Sequence, residues 1–188
     1  QVSDFRGSLR DRETQEKLHS QEQTVKSSRH RQNALEDARK RVREAPSITN
    51  IIQLAQAYID LDTPEGWKAA VDLLEESYNK TKDFSFKHKL GDFKIRKIKK
   101  ELRLLHETIQ RHPDKQELVS RFHELQKELD KVELEHYRLC SENYPTDMKL
   151  KYEYGSCLIK NHRFDEAIPV FQESQRDPRL RTISLDTV

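Results

Sequence analysis

The stretch TDMKLKYEYGSCLIKNHRFDEAIPVFQESQRDP, residues 146–178, decides how the chain reads. It divides into two short helices, about 147–160 and 164–176, joined by Asn161-His162-Arg163. Pro178 ends the second, because proline cannot continue a helix. Pro169 lies inside that helix but near its start, where a missing N–H costs less than at the centre. The stop before the pair is Tyr144-Pro145-Thr146-Asp147.

Two longer seams precede it. Leu118, Phe122, Leu125, Leu129, Val132, His136 and Leu139 recur in steps of 4 and 3 after Pro113, a heptad pattern with no internal breaker. A helix over 115–142 would be about 42 Å long. Ile95, Ile98, Leu102, Leu105 and Ile109 carry the same rhythm, and the short link His112-Pro113-Asp114 makes the two helices antiparallel neighbours. Residues 83–145 therefore read as a long antiparallel helix pair.

Further back, Ser47 is a helix cap, and Ile51, Leu54, Ala55, Tyr58 and Ile59 form one buried face. Thr63-Pro64 opens the next helix, which buries Trp67, Ala70, Val71, Leu74 and Tyr78. Residues 47–82 thus form a helical hairpin. Leu35, Ala38, Val42 and Ala45 give residues 33–46 one stripe able to dock, ended before Pro46. Residues 1–32 bury too little to offset ordering and read as a polar helical arm or disorder. Residues 179–188 could begin a further, truncated unit.

Composition agrees with this picture. Of 188 residues, 34% are hydrophobic and 36% charged, with only 4 glycines and 6 prolines, which excludes a turn-rich sandwich or barrel. The 35 basic and 33 acidic residues nearly balance, so no overall pull toward nucleic acid or membrane exists. No apolar run is long enough to span a bilayer. Cys140 and Cys157 show no paired spacing, so a reduced, cytoplasmic setting is expected. The chain begins with Gln1 rather than Met and reads as a fragment of a longer array.

The breaks recur. Pro46, Pro113, Pro145 and Pro178 are 67, 32 and 33 residues apart, and Leu90-Gly91, Phe122-His123 and Tyr154-Gly155 are 32 apart. Such self-similarity marks a helical repeat array. Residues 146–178 resemble a tetratricopeptide repeat, with Tyr154-Gly155, Leu158, Ala167, Phe171, Ser174 and Pro178 at that family's places. Leu54, Ala55, Tyr58, Ala70, Leu74 and Ser77 match in 47–82, with about three residues inserted at Thr63–Glu65. The middle departs from the pattern. At 97–100 and 129–132 the family would turn, and nothing there favours a turn. Glu101 and Glu133 lie near places usually small. The expected fold is therefore all-α, a tetratricopeptide-like array with a long antiparallel hairpin, made of degenerate repeats, in its middle.

Catalytic and metal chemistry is not expected. The glycines are too dispersed for a phosphate loop, and no nucleophile elbow is present. The eight histidines never recur at i, i+3 or i, i+4, so no two share a helix face as ligands. His136 on the seam reads as a packed residue with one bonded nitrogen. Cys140 and Cys157 read as small buried residues, and Glu75-Glu76 and Glu133/Glu135 as solvated faces. No cofactor, metal or small-molecule substrate is implied.

Two surfaces remain. The resemblance implies a concave groove lined by the first helix of each unit, at Lys149, Tyr152, Ser156 and Lys160, and at Ile52, Gln56 and Asp60. The paired Lys/Asn pattern with which some members hold a peptide carboxylate is not present. The segment 87–100 holds Lys87, Lys89, Lys94, Arg96, Lys97, Lys99 and Lys100 against Asp92 alone. It reads either as an anion site or, preferably, as the rim of a helix facing its acidic neighbour over 103–135. The expectation is a non-enzymatic interaction scaffold for a protein or peptide partner. The alternatives are an electrostatic binder of nucleic acid or an anionic surface through 87–100, and a self-associating coiled coil forming a homo-oligomer.

Overall fold

A computed structural model describes residues 27–174. The described residues are helical throughout apart from short connections, with no strand among them. The chain divides between Lys82 and Asp83 into two compact units.

In the first unit, α1 is helical over 27–44 and is followed by α2 (Ile48–Asp60) and α3 (Pro64–Thr81). The caps lie where the sequence places them. Ser47 Oγ accepts from the Asn50 N–H at 3.2 Å, and Thr63 Oγ1 accepts from the Gly66 N–H at 3.0 Å, each satisfying an orphan donor of a first turn. Leu35 and Ala38 of α1 pack with Leu54 of α2, flanked by Val42, Ala57, Tyr58, Leu61 and Leu73. The docking helix starts earlier than position 33. Arg31 accounts for part of this, since its guanidinium reaches back to the Asp60 carbonyl at 3.3 Å and anchors a turn that has no apolar stripe. Of the expected arm 1–32, residues 1–26 lie outside the described residues, as do Pro178 and the expected further unit at 179–188.

The second unit holds α4 (Phe84–Arg111), α5 (Gln116–Asn143), α6 (Met148–Lys160) and α7 (Phe164–Ser174). Lys82, left-handed at φ 59°, closes α3, and Asp83 caps α4 by accepting from the Ser85 N–H at 2.9 Å. The positions at 97–100 and 129–132 are helical in both long helices. Cross-links between α4 and α5 run in opposite directions: Ser85 to Tyr144, Asp92 to His136, Lys99 to Glu133, Glu101 to Arg121. The helices are therefore antiparallel. Ile95, Ile98 and Leu102 pack on Leu125 and Leu129, with Phe122, Val132 and Tyr137 at the edge.

Toward the C-terminal end of α5 the buried stripe leaves the heptad. The buried residues are Leu125, Leu129, Glu133, His136 and Cys140, while Val132 and Leu139 are only half-buried. A helix with 3.6 residues per turn drifts off a 3.5 repeat, and here α6 covers the second flank of α5. α6 and α7 form the last hairpin around Leu158, Ala167 and Phe171, with Leu134 of α5 against them. Gly155 allows the approach, since a Cβ there would stand 3.0 Å from the Phe171 ring. Within this unit α5 packs on α4, α6 on α5 and α7 on α6, and among the described residues no helices further apart in sequence pack backbone to backbone. No helix of the described residues is long and apolar enough to cross a membrane.

Candidate functional site

The polar chemistry of the second unit gathers in two places along α5. The first is Glu133. Its side chain is 4% exposed, yet it carries a charge facing Lys99 Nζ of α4 at 2.6 Å and Lys160 Nζ of α6 at 3.3 Å. A buried carboxylate survives only with such partners. Burial raises its pKa, but the hydrogen bond from Lys99 and the charge of Lys160 outweigh burial and hold the carboxyl below the usual range. The reading of Glu133 as a solvated face is thus corrected; the stripe drift turns it inward between α4 and α6. Glu135 is exposed, and Arg138 reaches both it and Glu142.

This node takes one residue from each expected surface. Lys160 was placed in the partner groove and Lys99 in the basic patch, and both point at one carboxylate. Of the other groove positions, Tyr152 packs edge-to-face on Phe171 with centroids 5.4 Å apart. The Ser156 hydroxyl donates to the Tyr152 carbonyl at 3.0 Å. Lys149 is exposed at the start of α6, and Gln56 of the first unit donates to Asp60 at 2.8 Å. In the basic segment Lys94, Arg96, Lys97 and Lys100 are exposed along α4. Exposed apolar side chains lie elsewhere: Phe164 and Ile168, 54% and 46% exposed, sit one turn apart on α7, and Leu104 is exposed on α4.

The second place is one turn further along α5. His136 Nε2 lies 3.1 Å from Asp92 Oδ1 and 3.7 Å from Cys140 Sγ. His88 Nε2 lies 3.8 Å from the same Asp92 oxygen, and the His88 and His136 rings are 5.5 Å apart. The donor atoms of His88, His136 and Cys140 all fall within 4.8 Å of one another. Burial favours the neutral His88 ring and pushes the Cys140 thiol up to about 12. Burial also opposes the Asp92 charge, but the hydrogen bond from His136 wins and keeps the carboxyl low.

The ring of His136 has its place because residue 91 is glycine. A Cβ there would run into the Nδ1 edge of the imidazole. With that edge against the α4 backbone, Nε2 faces Asp92. The sequence has no two histidines three or four places apart, yet the hairpin register brings His88 and His136 together from different helices. The readable signal was a pair of mixed i, i+4 spacings, His88 to Asp92 and His136 to Cys140. Chemically, two imidazoles, a thiol and a carboxylate offer four donors to a cation.

No family model matches this chain, and no curated protein and no solved structure matches it either.

Proposed function

We propose that the chain is a non-enzymatic scaffold of the tetratricopeptide type that binds a protein or peptide through the faces of its stacked helices. The observation that carries this reading is the packing order of the second unit, in which each described helix packs on its neighbours in sequence. A layer built that way leaves side chains on fixed, preorganised backbones and does not spend them on a closed core. Supporting it, Gly155, Leu158, Ala167 and Phe171, residues that carry the resemblance in the sequence, pack together in α6 and α7. Ala55, Ala70 and Leu74 are buried in the first unit.

The residues offered to a partner differ from the first expectation. Tyr152, Ser156 and Lys160 are engaged within the unit, so Phe164 and Ile168 on α7 are the better anchors. An apolar pair at i, i+4 suits the apolar face of a partner helix. The test is affinity capture from the source organism with the full chain and with its Phe164→Asp/Ile168→Asp variant. A defined protein retained by the parent and lost by an equally stable variant supports the reading. Capture of nothing, or equal capture by both, contradicts it.

The alternatives fare less well. The seam Ile95, Ile98, Leu102, Leu125 and Leu129 is buried within one chain, so self-association has no need of it. An electrostatic binder would lose Lys99 to Glu133.

A further inference from the structure

We propose that His88, Asp92, His136 and Cys140 bind one divalent first-row transition cation, zinc by the character of the ligands, and that this cation clips the open end of the α4–α5 hairpin. The inference does not depend on the scaffold reading.

Geometry carries it. Tetrahedral zinc with Zn–N and Zn–O near 2.0–2.1 Å and Zn–S near 2.3 Å sets its ligand atoms about 3.3–3.6 Å apart. The separations here are 3.1 Å from His136 Nε2 to Asp92 Oδ1, 3.7 Å from His136 Nε2 to Cys140 Sγ and 3.8 Å from His88 Nε2 to Asp92 Oδ1, and the donor atoms of His88, His136 and Cys140 lie within 4.8 Å of one another, so side-chain rotations close the set on the ion. Each helix contributes two ligands one turn apart, so the register of two rigid rods, rather than a loop, fixes the set.

Chemistry selects the ion. Imidazole, thiolate and a single carboxylate form a borderline-soft set that suits zinc and does not suit calcium or magnesium, which take oxygen ligands. As the Cys140 Sγ–metal bond forms, the thiol proton leaves to solvent. The Asp92 carboxylate and Cys140 thiolate then balance the two positive charges. The buried end of the site lies at Cys140, which is fully buried, and at His136, whose side chain is 6% exposed, while His88 at 31% and Asp92 at 43% face the solvent side and give a hydrated ion its way in.

Gly91 adds an independent reason. Glycine in the middle of a helix costs about 1 kcal/mol against alanine. Here it lets the His136 ring lie on the α4 backbone with Nε2 turned toward Asp92. A packed histidine alone would not call for a second imidazole and a thiol beside its ring.

The experiment uses the full chain, stripped with a chelator and titrated with cobalt(II) and, separately, with zinc(II). Expected are saturation at one equivalent, tetrahedral cobalt absorption, and a near-ultraviolet thiolate-to-cobalt band. Cys140→Ser removes that band and Cys157→Ser keeps it. His88→Gln and Asp92→Asn, both on the solvent side, weaken zinc binding by about 10–100-fold while helical content is unchanged. No saturable uptake, cobalt absorption without the thiolate band, or unchanged affinity in His88→Gln and Asp92→Asn would each overturn the proposal. Should Cys140→Ser fail to fold, the parent band and the two solvent-side variants still decide.

Discussion

Lys99 Nζ of α4 lies 2.6 Å from Glu133 Oε1 of α5, a carboxylate whose side chain is only 4% exposed. Lys160 of α6 completes the node at 3.3 Å, so one acid ties three helices together. The two lysines are more than half exposed and can return to water, whereas the acid cannot. Removing the acid and removing the bases therefore have unequal costs. We expect Glu133→Gln to lose about 1–3 kcal/mol, the scale of hydrogen bonds to a charged group. Lys99→Met with Lys160→Met strands a buried charge and should lose about 3–5 kcal/mol. Urea unfolding of the three proteins checks the order.

The same node gives a pH dependence with a definite sign. Glu133 is held below the ordinary glutamate value of 4.5, with burial opposing the ionised form and the lysines outweighing it. A depressed carboxyl contributes stability that is fully present above the unfolded value and is lost as pH falls through the lower folded value. The unfolding midpoint should therefore drop on acidification below about pH 4.5, and Glu133→Gln should flatten that drop. A parallel pH profile for parent and variant would count against the node.

Much of the helical order was legible because its signals are local. Ser47 and Thr63-Pro64 cap where they stand, and the breaks at Pro113 and Pro145 need no partner to act. The start of α4 was less legible. Phe86, Leu90 and Phe93 are buried on the same helix as Ile95, Ile98 and Leu102, but a stripe that shifts phase at Phe93 does not read as one seam. The polar clusters were hidden for a different reason. Glu133, Lys99 and Lys160 come from three helices, and His88 meets His136 only through the hairpin register. Patterns within one helix could point to each half, and no local rule joins them.

Gly91 separates close approach from mere permissiveness. Gly91→Ala gains about 1 kcal/mol of helix propensity but drives a methyl into the His136 ring, for which overpacking costs about 1–3 kcal/mol. We expect a net loss of up to about 2 kcal/mol, together with weakened zinc binding. Gly155→Ala meets the Phe171 ring at 3.0 Å, a contact that a small ring shift relieves, and should be near neutral. Denaturant midpoints of the two variants decide.

The α4–α5 seam should behave as the core of its unit. Leu125 and Leu129 are 2% and 5% exposed, so truncating either to alanine should cost about 2–5 kcal/mol. Leu104, 50% exposed on α4, should tolerate serine within about 0.5 kcal/mol. Similar losses at all three positions would mean that the seam is not where the apolar surface is buried.

The central claim, that the exposed face of α7 receives another protein, is tested most directly by photo-crosslinking in the source organism. A photoreactive residue replaces Ile168 in one chain and the buried Ile98 in another. We expect one adduct of defined mass from position 168, competed away by Phe164→Asp, and none from position 98. No adduct from position 168, or a smear of adducts indifferent to Phe164, would contradict the claim.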